Sequence, residues 1–310
     1  MARLPPPPFD SWSRQCSSVE GKSWPEAHPT RRVLNVPTKC ADELISQAAA
    51  LLTESAHLSD GWIAADVPRA LIQVDPNSIA TWTAKLQILV DQNPDLEILL
   101  AGSDRYPQNL RTVKSRPALL FVEGHLRGAD DRAVAIVGSR GADSTALDTA
   151  RSLAHDLASR GTTIVSGLAR GVDSAAHKGA LEARGRTLAV MGTGIGRVFP
   201  AENAELSESI RRHGALISQF PPGYGPTKTT FPARNAVIAG LSRASVIVVA
   251  GERSGTRIEI NQSLVQGRPV LLWGPLLGAQ HWAKTLAGEP LVEFVESASE
   301  IEESLKQFAA

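Results

Sequence analysis

The stretch VAIVGSR (134–140) decides the fold. Four apolar residues run without alternation into Gly138, and Ser139 and Arg140 follow. A parallel strand covered on both faces reads this way, and a glycine permits the sharp turn that hands such a strand over to a helix. The same grammar recurs downstream in TTIVSG (162–167), TLAVMG (187–192), ALIS (215–218), SVIVVA (245–250) and PVLLW (269–273). Helix-compatible runs lie between them, near 143–160, 172–184, 202–213, 233–242 and 256–267. Strand and helix in regular alternation predict a doubly wound, mostly parallel α/β sheet.

Upstream the pattern is looser. Residues 1–40 carry PPPP (5–8) and many serines without helical or strand periodicity, and read as an irregular arm. Residues 41–100 read as a smaller helical N-terminal region. Leu44, Ala48, Leu51 and Leu52 give 41–58 helical spacing, and a second helix is expected over 79–91. Short strands follow at EILL (97–100) and PALLFVEG (117–124). The sheet domain is placed at 101–295 and a C-terminal helix at 296–310. No internal repeat or coiled-coil pattern is visible.

Composition narrows the function classes. The 310 residues are 43% hydrophobic, enough for a substantial core, with a formal net charge of zero. Between Ser139 and Val270, however, 16 Lys and Arg stand against 10 Asp and Glu, which suits a locally basic face. Cys16 and Cys40 lack metal-ligand spacing, so neither a zinc site nor a disulfide framework is expected. No apolar run reaches the length of a membrane span and no signal peptide is visible, so the expectation is a cytoplasmic protein without a membrane partner.

The chemistry lies where the strands end. Ligands of doubly wound sheets bind beyond the carboxyl ends of the strands, and glycine turns there aim backbone N–H groups at anions. In VGSR (137–140), Gly138 makes the turn, Ser139 and the start of the next helix can donate to a phosphate, and Arg140 can hold one bidentately. In SGLARGVDSAAH (166–177), Gly167 and Gly171 bracket a loop carrying Arg170, and Asp173 or Ser174 can cap the next helix. His177 suits a hydrogen-bonding or packing role better than catalysis. GTGIGRVFPAEN (192–203) is not the G-x-G-x-x-G dinucleotide fingerprint, and neither a Walker A sequence nor a G-x-S-x-G elbow occurs. Lys228, Phe231 and Arg234, with Asn235 beside them, put an aromatic between two cations. Phe231 would stack on a base while the cations hold phosphates. The plain alternative is a core Phe231 and an Arg234 paired with a local carboxylate. Ser254 and Gly255 form the last turn.

Taken in order, these motifs resemble the DNA-processing protein DprA (Smf) family. The resemblance covers roughly Tyr106 to Pro275 and includes YP-x-x-L, VGSR, SGLARGVDSAAHKGAL, GTGIGRVFP-x-EN and FP-x-RN-x-x-IAGLS. It implies an extended Rossmann-like fold, cooperative binding of single-stranded DNA, a homodimer, and help in loading a RecA-type recombinase during recombination or natural transformation. It implies no metal, no nucleotide cofactor and no enzymatic activity. Arg140, Lys228 and Phe231 fall at positions that contact DNA in the family, with backbone amides around Gly138, Gly167 and Gly255 on phosphates. The resemblance therefore favours the functional reading of Phe231. Two departures stand out. No segment resembling the small winged-helix-like domain usual at the family's C-terminus is expected within these 310 residues, and the Pro-rich arm is unlike the usual N-terminus.

The last turn points elsewhere. Ser254-Gly255-Thr256-Arg257-Ile258-Glu259 ends like the G-T-x-x-E motif of the lysine-decarboxylase-like phosphoribohydrolases, without their upstream P-G-G. That likeness offers Arg234 and Glu259 as catalytic residues for cleaving the N-glycosidic bond of a nucleoside monophosphate. A nucleotide-sensing module without chemistry is the related alternative. The bland reading makes Glu259 an exposed or capping residue in a first helical turn.

Overall fold

The computed structural model describes residues 76–308 apart from Arg253, together with Ala48, which is helical and buried. The expected 1–40 arm, and the expected 41–58 helix apart from Ala48, lie outside the described residues.

Nine strands form one sheet in the order β1-β2-β6-β5-β4-β3-β7-β8-β9. They are β1 (Leu96–Leu100), β2 (Leu119–Gly124), β3 (Ala133–Val137), β4 (Thr163–Ser166), β5 (Thr187–Val190), β6 (Ala215–Ser218), β7 (Ser245–Ile247), β8 (Val270–Trp273) and β9 (Val292–Val295). Strands β3 to β9 are mutually parallel, whereas β2 runs antiparallel to both β6 and β1. The expected mostly parallel, Rossmann-like α/β fold is what the chain adopts.

The helices are α1 (Pro76–Gln92), α2 (Gln108–Arg111), α3 (Ser144–Ser159), α4 (Val172–Glu182), α5 (Ala204–His213), α6 (Thr230–Leu241), α7 (Thr256–Val265), α8 (Gly274–Leu277), α9 (His281–Leu286) and α10 (Ala298–Gln307). Alternate strand residues feed different layers. Val134 and Ile136 join Leu153 and Leu157 of α3, Ala176 of α4 and Ile301 of α10 on one face. Ala135 and Val137 join Val237, Ile238 and Leu241 of α6 and Ile260 of α7 on the other. A third cluster packs Leu86 of α1 against Leu96, Ile98 and Phe121 where β1 and β2 extend the sheet. With helices on both faces, every residue of β3 is buried, which is why the strand reads as a continuous apolar run.

The order β4-β3-β7 fixes the site. The chain winds outward from β3 through β4, β5 and β6, then returns to pair β7 with the other side of β3. This reversal is a topological switch point, and it leaves a crevice beyond the carboxyl ends of β3 and β7. The ladder continues past both strands, because Val248 N–H donates to Val137 O at 3.1 Å and Ser139 N–H to Val249 O at 2.9 Å.

Helix α6 begins earlier than the expected 233–242, at Thr230, so Phe231 sits in its first turn. Pro232 is tolerated there because first-turn N–H groups have no helical acceptor to lose. Thr227 and Thr230 secure the entry reciprocally, each backbone N–H donating to the other's hydroxyl at 3.1 Å.

Candidate functional site

A cleft of about 340 Å³ opens at the switch point. One wall is the turn after β3, from Gly138 to Gly141; the second is the start of α6, with Phe231, Arg234 and Asn235; the third is Ser254 to Thr256 with Glu259 of α7. The structure thus brings together Gly138, Ser139, Arg140, Phe231, Arg234, Asn235, Ser254 and Gly255 from three separate turns. Arg170 and Lys228 are not among the lining residues. Arg170 is exposed and forks onto Glu202 with two 2.8 Å hydrogen bonds. Lys228 is exposed in the loop that enters α6.

Two backbone phosphate donors offered by the sequence are already engaged. Ser139 N–H is committed to Val249 O, while its hydroxyl accepts from Gly141 N–H at 3.2 Å and keeps its own O–H to donate. The start of α3 is capped by Asp143, whose carboxylate accepts from Ala146 N–H at 2.9 Å. An N-terminus satisfied by its own carboxylate repels a second anion. The start of α7 differs, since its N-cap is Gly255 and no side chain caps it.

Phe231 is half-buried, and its ring is fixed from several sides. The Arg140 guanidinium lies 4.9 Å from its centroid and that of Arg234 5.9 Å. Phe199 adds a tilted ring contact at 5.9 Å. A Cβ on Gly192 would come within 2.8 Å of Phe231 Cδ1, so glycine is what lets the ring settle against the end of β5.

Beneath Phe231 lies a buried charged cluster. Arg234 is 4% exposed, Asp173 6% and Glu259 1%. Arg234 Nη1 donates to Gly167 O and, at 2.9 Å, to Val190 O, and Nε donates to Asn235 Oδ1 at 3.1 Å. It therefore staples the ends of β4 and β5 together. A Cβ on Gly167 would overlap the Arg234 guanidinium, so this glycine is set by close approach of a side chain. Asp173 and Ser174 do not cap α4. Gly171 is the N-cap, Ser174 donates its hydroxyl back to Gly171 O at 3.2 Å, and Asp173 accepts from Ala169 N–H at 3.4 Å.

Burial raises the pKa of both carboxyls above the usual range, Asp173 with partial relief from Arg234, and Glu259 well above it despite the same cation. One guanidinium, itself desolvated, cannot hold two buried carboxylates ionised. The expectation of an exposed or capping Glu259 is overturned, because α7 turns the side chain inward and neither oxygen has a hydrogen-bond partner. His177 behaves as expected for a structural residue. It is fully buried, its Nδ1 lies 2.6 Å from Thr187 Oγ1, and burial followed by Arg234 pushes its pKa down to about 3.

The raised carboxyl carries a stability signature. Glu259 folds in its neutral form, so its contribution is intact below the unfolded carboxyl range and is lost as pH rises through the folded value. Each unit of elevation costs about 1.4 kcal/mol once the group must ionise. Glu259→Gln removes the titration. Its Tm relative to the parent should therefore climb from pH 5 to pH 8, and a flat difference in paired melting curves contradicts the placement.

Among the described residues no group of His, Cys, Asp and Glu is arranged to hold a metal, and no helix is long and apolar enough to cross a membrane.

Known proteins resemble this chain in sequence and in fold. The sequence model of the family described as DNA recombination-mediator protein A matches residues 97–302. Protein Smf of Escherichia coli strain K12 is 40% identical over 187 residues, covering 60% of this chain and 50% of that protein. DNA processing protein DprA of Bacillus subtilis strain 168 is 36% identical over 170 residues, covering 54% and 57%. The chain thus spans between half and about three fifths of the length of these curated relatives. In structure, DprA from Streptococcus pneumoniae superposes with a TM-score of 0.64 at 28% identity, covering 84% of this chain and 92% of that one. DNA processing protein A from Helicobacter pylori, solved to study its own single-stranded DNA binding mode, shares the fold with a TM-score of 0.60 at 23% identity, covering 68% and 96%. With about two thirds of its length matched by the family's sequence model, this chain belongs to the DNA recombination-mediator protein A family.

Proposed function

We propose that this chain binds single-stranded DNA at the cleft beyond β3 and β7 and acts on it in recombination or natural transformation without chemistry of its own. The observation that carries the reading is Phe231, held half-exposed at the cleft with the Arg140 guanidinium 4.9 Å from its ring. An aromatic platform with adjoining cations is the general solution for strands whose bases are unpaired. Arg140 beside the ring and the exposed Lys228 three residues before it in sequence supply charge for the backbone. Ser254 and Gly255, at the uncapped start of α7, supply a second place for a phosphate. Gly138 and Gly167 let Val172 and Arg234 pack close. Family membership supports the same reading, as does the single-stranded DNA binding studied in the Helicobacter pylori relative. Within it, the chain works in the cytoplasm as a homodimer and passes its strand to a RecA-type recombinase.

Fluorescence anisotropy with labelled single- and double-stranded oligonucleotides across a salt series tests this. The parent should prefer the single strand and weaken as salt rises, because neutralised phosphates release counterions. Lys228→Ala should weaken binding across sequences and make the slope of log affinity on log salt shallower by about 0.7. A protein indifferent to single strands at low salt fails the proposal.

A further inference from the structure

The floor of the cleft contains more than a stacking platform needs. Glu259 is 1% exposed, lines the cleft, and has no partner on either oxygen. Ser254 Oγ, on the same wall, is also buried without a partner. Buried polar atoms are normally paired, and leaving one alone is costly. These groups lie at the start of α7, a ten-residue helix with no side-chain cap. An anion suits the helix start, and hydrogen-bond donors suit the carboxyl one turn in.

Those requirements describe a specific chemistry. The sugar of an internal DNA nucleotide has no free hydroxyl for Glu259. A ribose presents two adjacent hydroxyls that match the two oxygens of one carboxyl, and a 5′-phosphate sits on the far side of the same ring. An acidic residue on ribose hydroxyls with phosphate at a helix start is how sheets of this kind hold nucleotides. A volume of about 340 Å³ suits one nucleotide, held free or as one unit of a strand.

We infer that this cleft is also a site for a ribonucleoside 5′-monophosphate, with the ribose diol on Glu259, the phosphate at Ser254–Thr256 beside Arg140, and the base against Phe231. The inference goes beyond the single-stranded DNA reading and shares Arg140, Phe231, Ser254 and Gly255 with it, so nucleotide and strand compete for the cleft.

Isothermal titration of the full chain with AMP and with 2′-deoxy-AMP tests it without any mutation. AMP should bind about 2- to 13-fold more tightly, the range that one hydrogen bond between uncharged groups supplies. Glu259→Leu, which replaces an unpaired buried carboxyl by an apolar group, should lower AMP affinity several-fold and abolish the preference for ribose. Equal affinities for the two nucleotides, no heat at millimolar AMP, or unchanged AMP binding in Glu259→Leu each overturn the inference. Anisotropy with a labelled oligonucleotide, run on the same protein, separates the two readings. Strand binding without AMP binding sinks only the nucleotide site, and AMP binding without strand binding sinks only the DNA cleft.

Discussion

Replacing Arg234 by methionine is expected to cost the fold about 3–5 kcal/mol near neutral pH, the loss typical of breaking a buried charged network from one side. The arginine holds the Gly167 and Val190 carbonyls at the ends of two adjacent strands, and methionine fills the volume but donates nothing. Both carbonyls would be left without this donor in a region closed to water. Asp173 and Glu259 would lose the cation that opposes the effect of burial on each. Their pKa values would rise further, so the cost should be smaller at pH 5 than at pH 8, because raised carboxyl pKa values make the fold lose stability as pH rises. Denaturant midpoints at the two pH values read this directly. A variant as stable as the parent at pH 8 would mean that the guanidinium is not the keystone of the strand ends.

The sheet was legible because its parallel strands are buried on both faces and therefore spell unbroken apolar runs, as in β3 and β8. The ninth strand escaped reading because Glu293 interrupts a run of only four residues, and β9 pairs with β8 alone. The early start of α6 escaped because Pro232 reads as a barrier, while a first turn accepts it. For the site, glycine turns at strand ends located the cleft, since doubly wound topology brings those ends together whatever the side chains. Side-chain depth was not legible. Asp173 and Glu259 each fall in the first turn of a helix, where an acidic residue usually faces solvent beside the helix dipole. Both instead face Arg234, and that juxtaposition depends on β3, β4 and β7 lying side by side. Arg170, a basic residue in a glycine loop, reads as a ligand contact, and its exposed pairing with Glu202 was not legible in the sequence.

Phe231→Ala should lower affinity for single-stranded DNA about 5- to 150-fold, the equivalent of about 1–3 kcal/mol for one base stacked on an aromatic ring. The ring cannot easily be replaced by its neighbours. Phe199 is nearly half exposed but meets Phe231 at a 46° tilt, so it buttresses the platform instead of continuing it. Arg140 covers the ring in the free protein, and its long side chain can swing to a phosphate or stack on the far face of an incoming base. Loss of the ring removes no charge. The salt slope of Phe231→Ala should therefore match the parent, whereas Lys228→Ala makes it shallower. Paired affinities and slopes separate stacking from charge neutralisation, and Tm values measured alongside show whether the half-buried ring was also needed for the fold. If Phe231→Ala keeps its Tm and still binds like the parent, the ring is core filling and the strand lies elsewhere. If its slope falls with its affinity, the mutation has displaced Arg140, and the platform acts by positioning a cation.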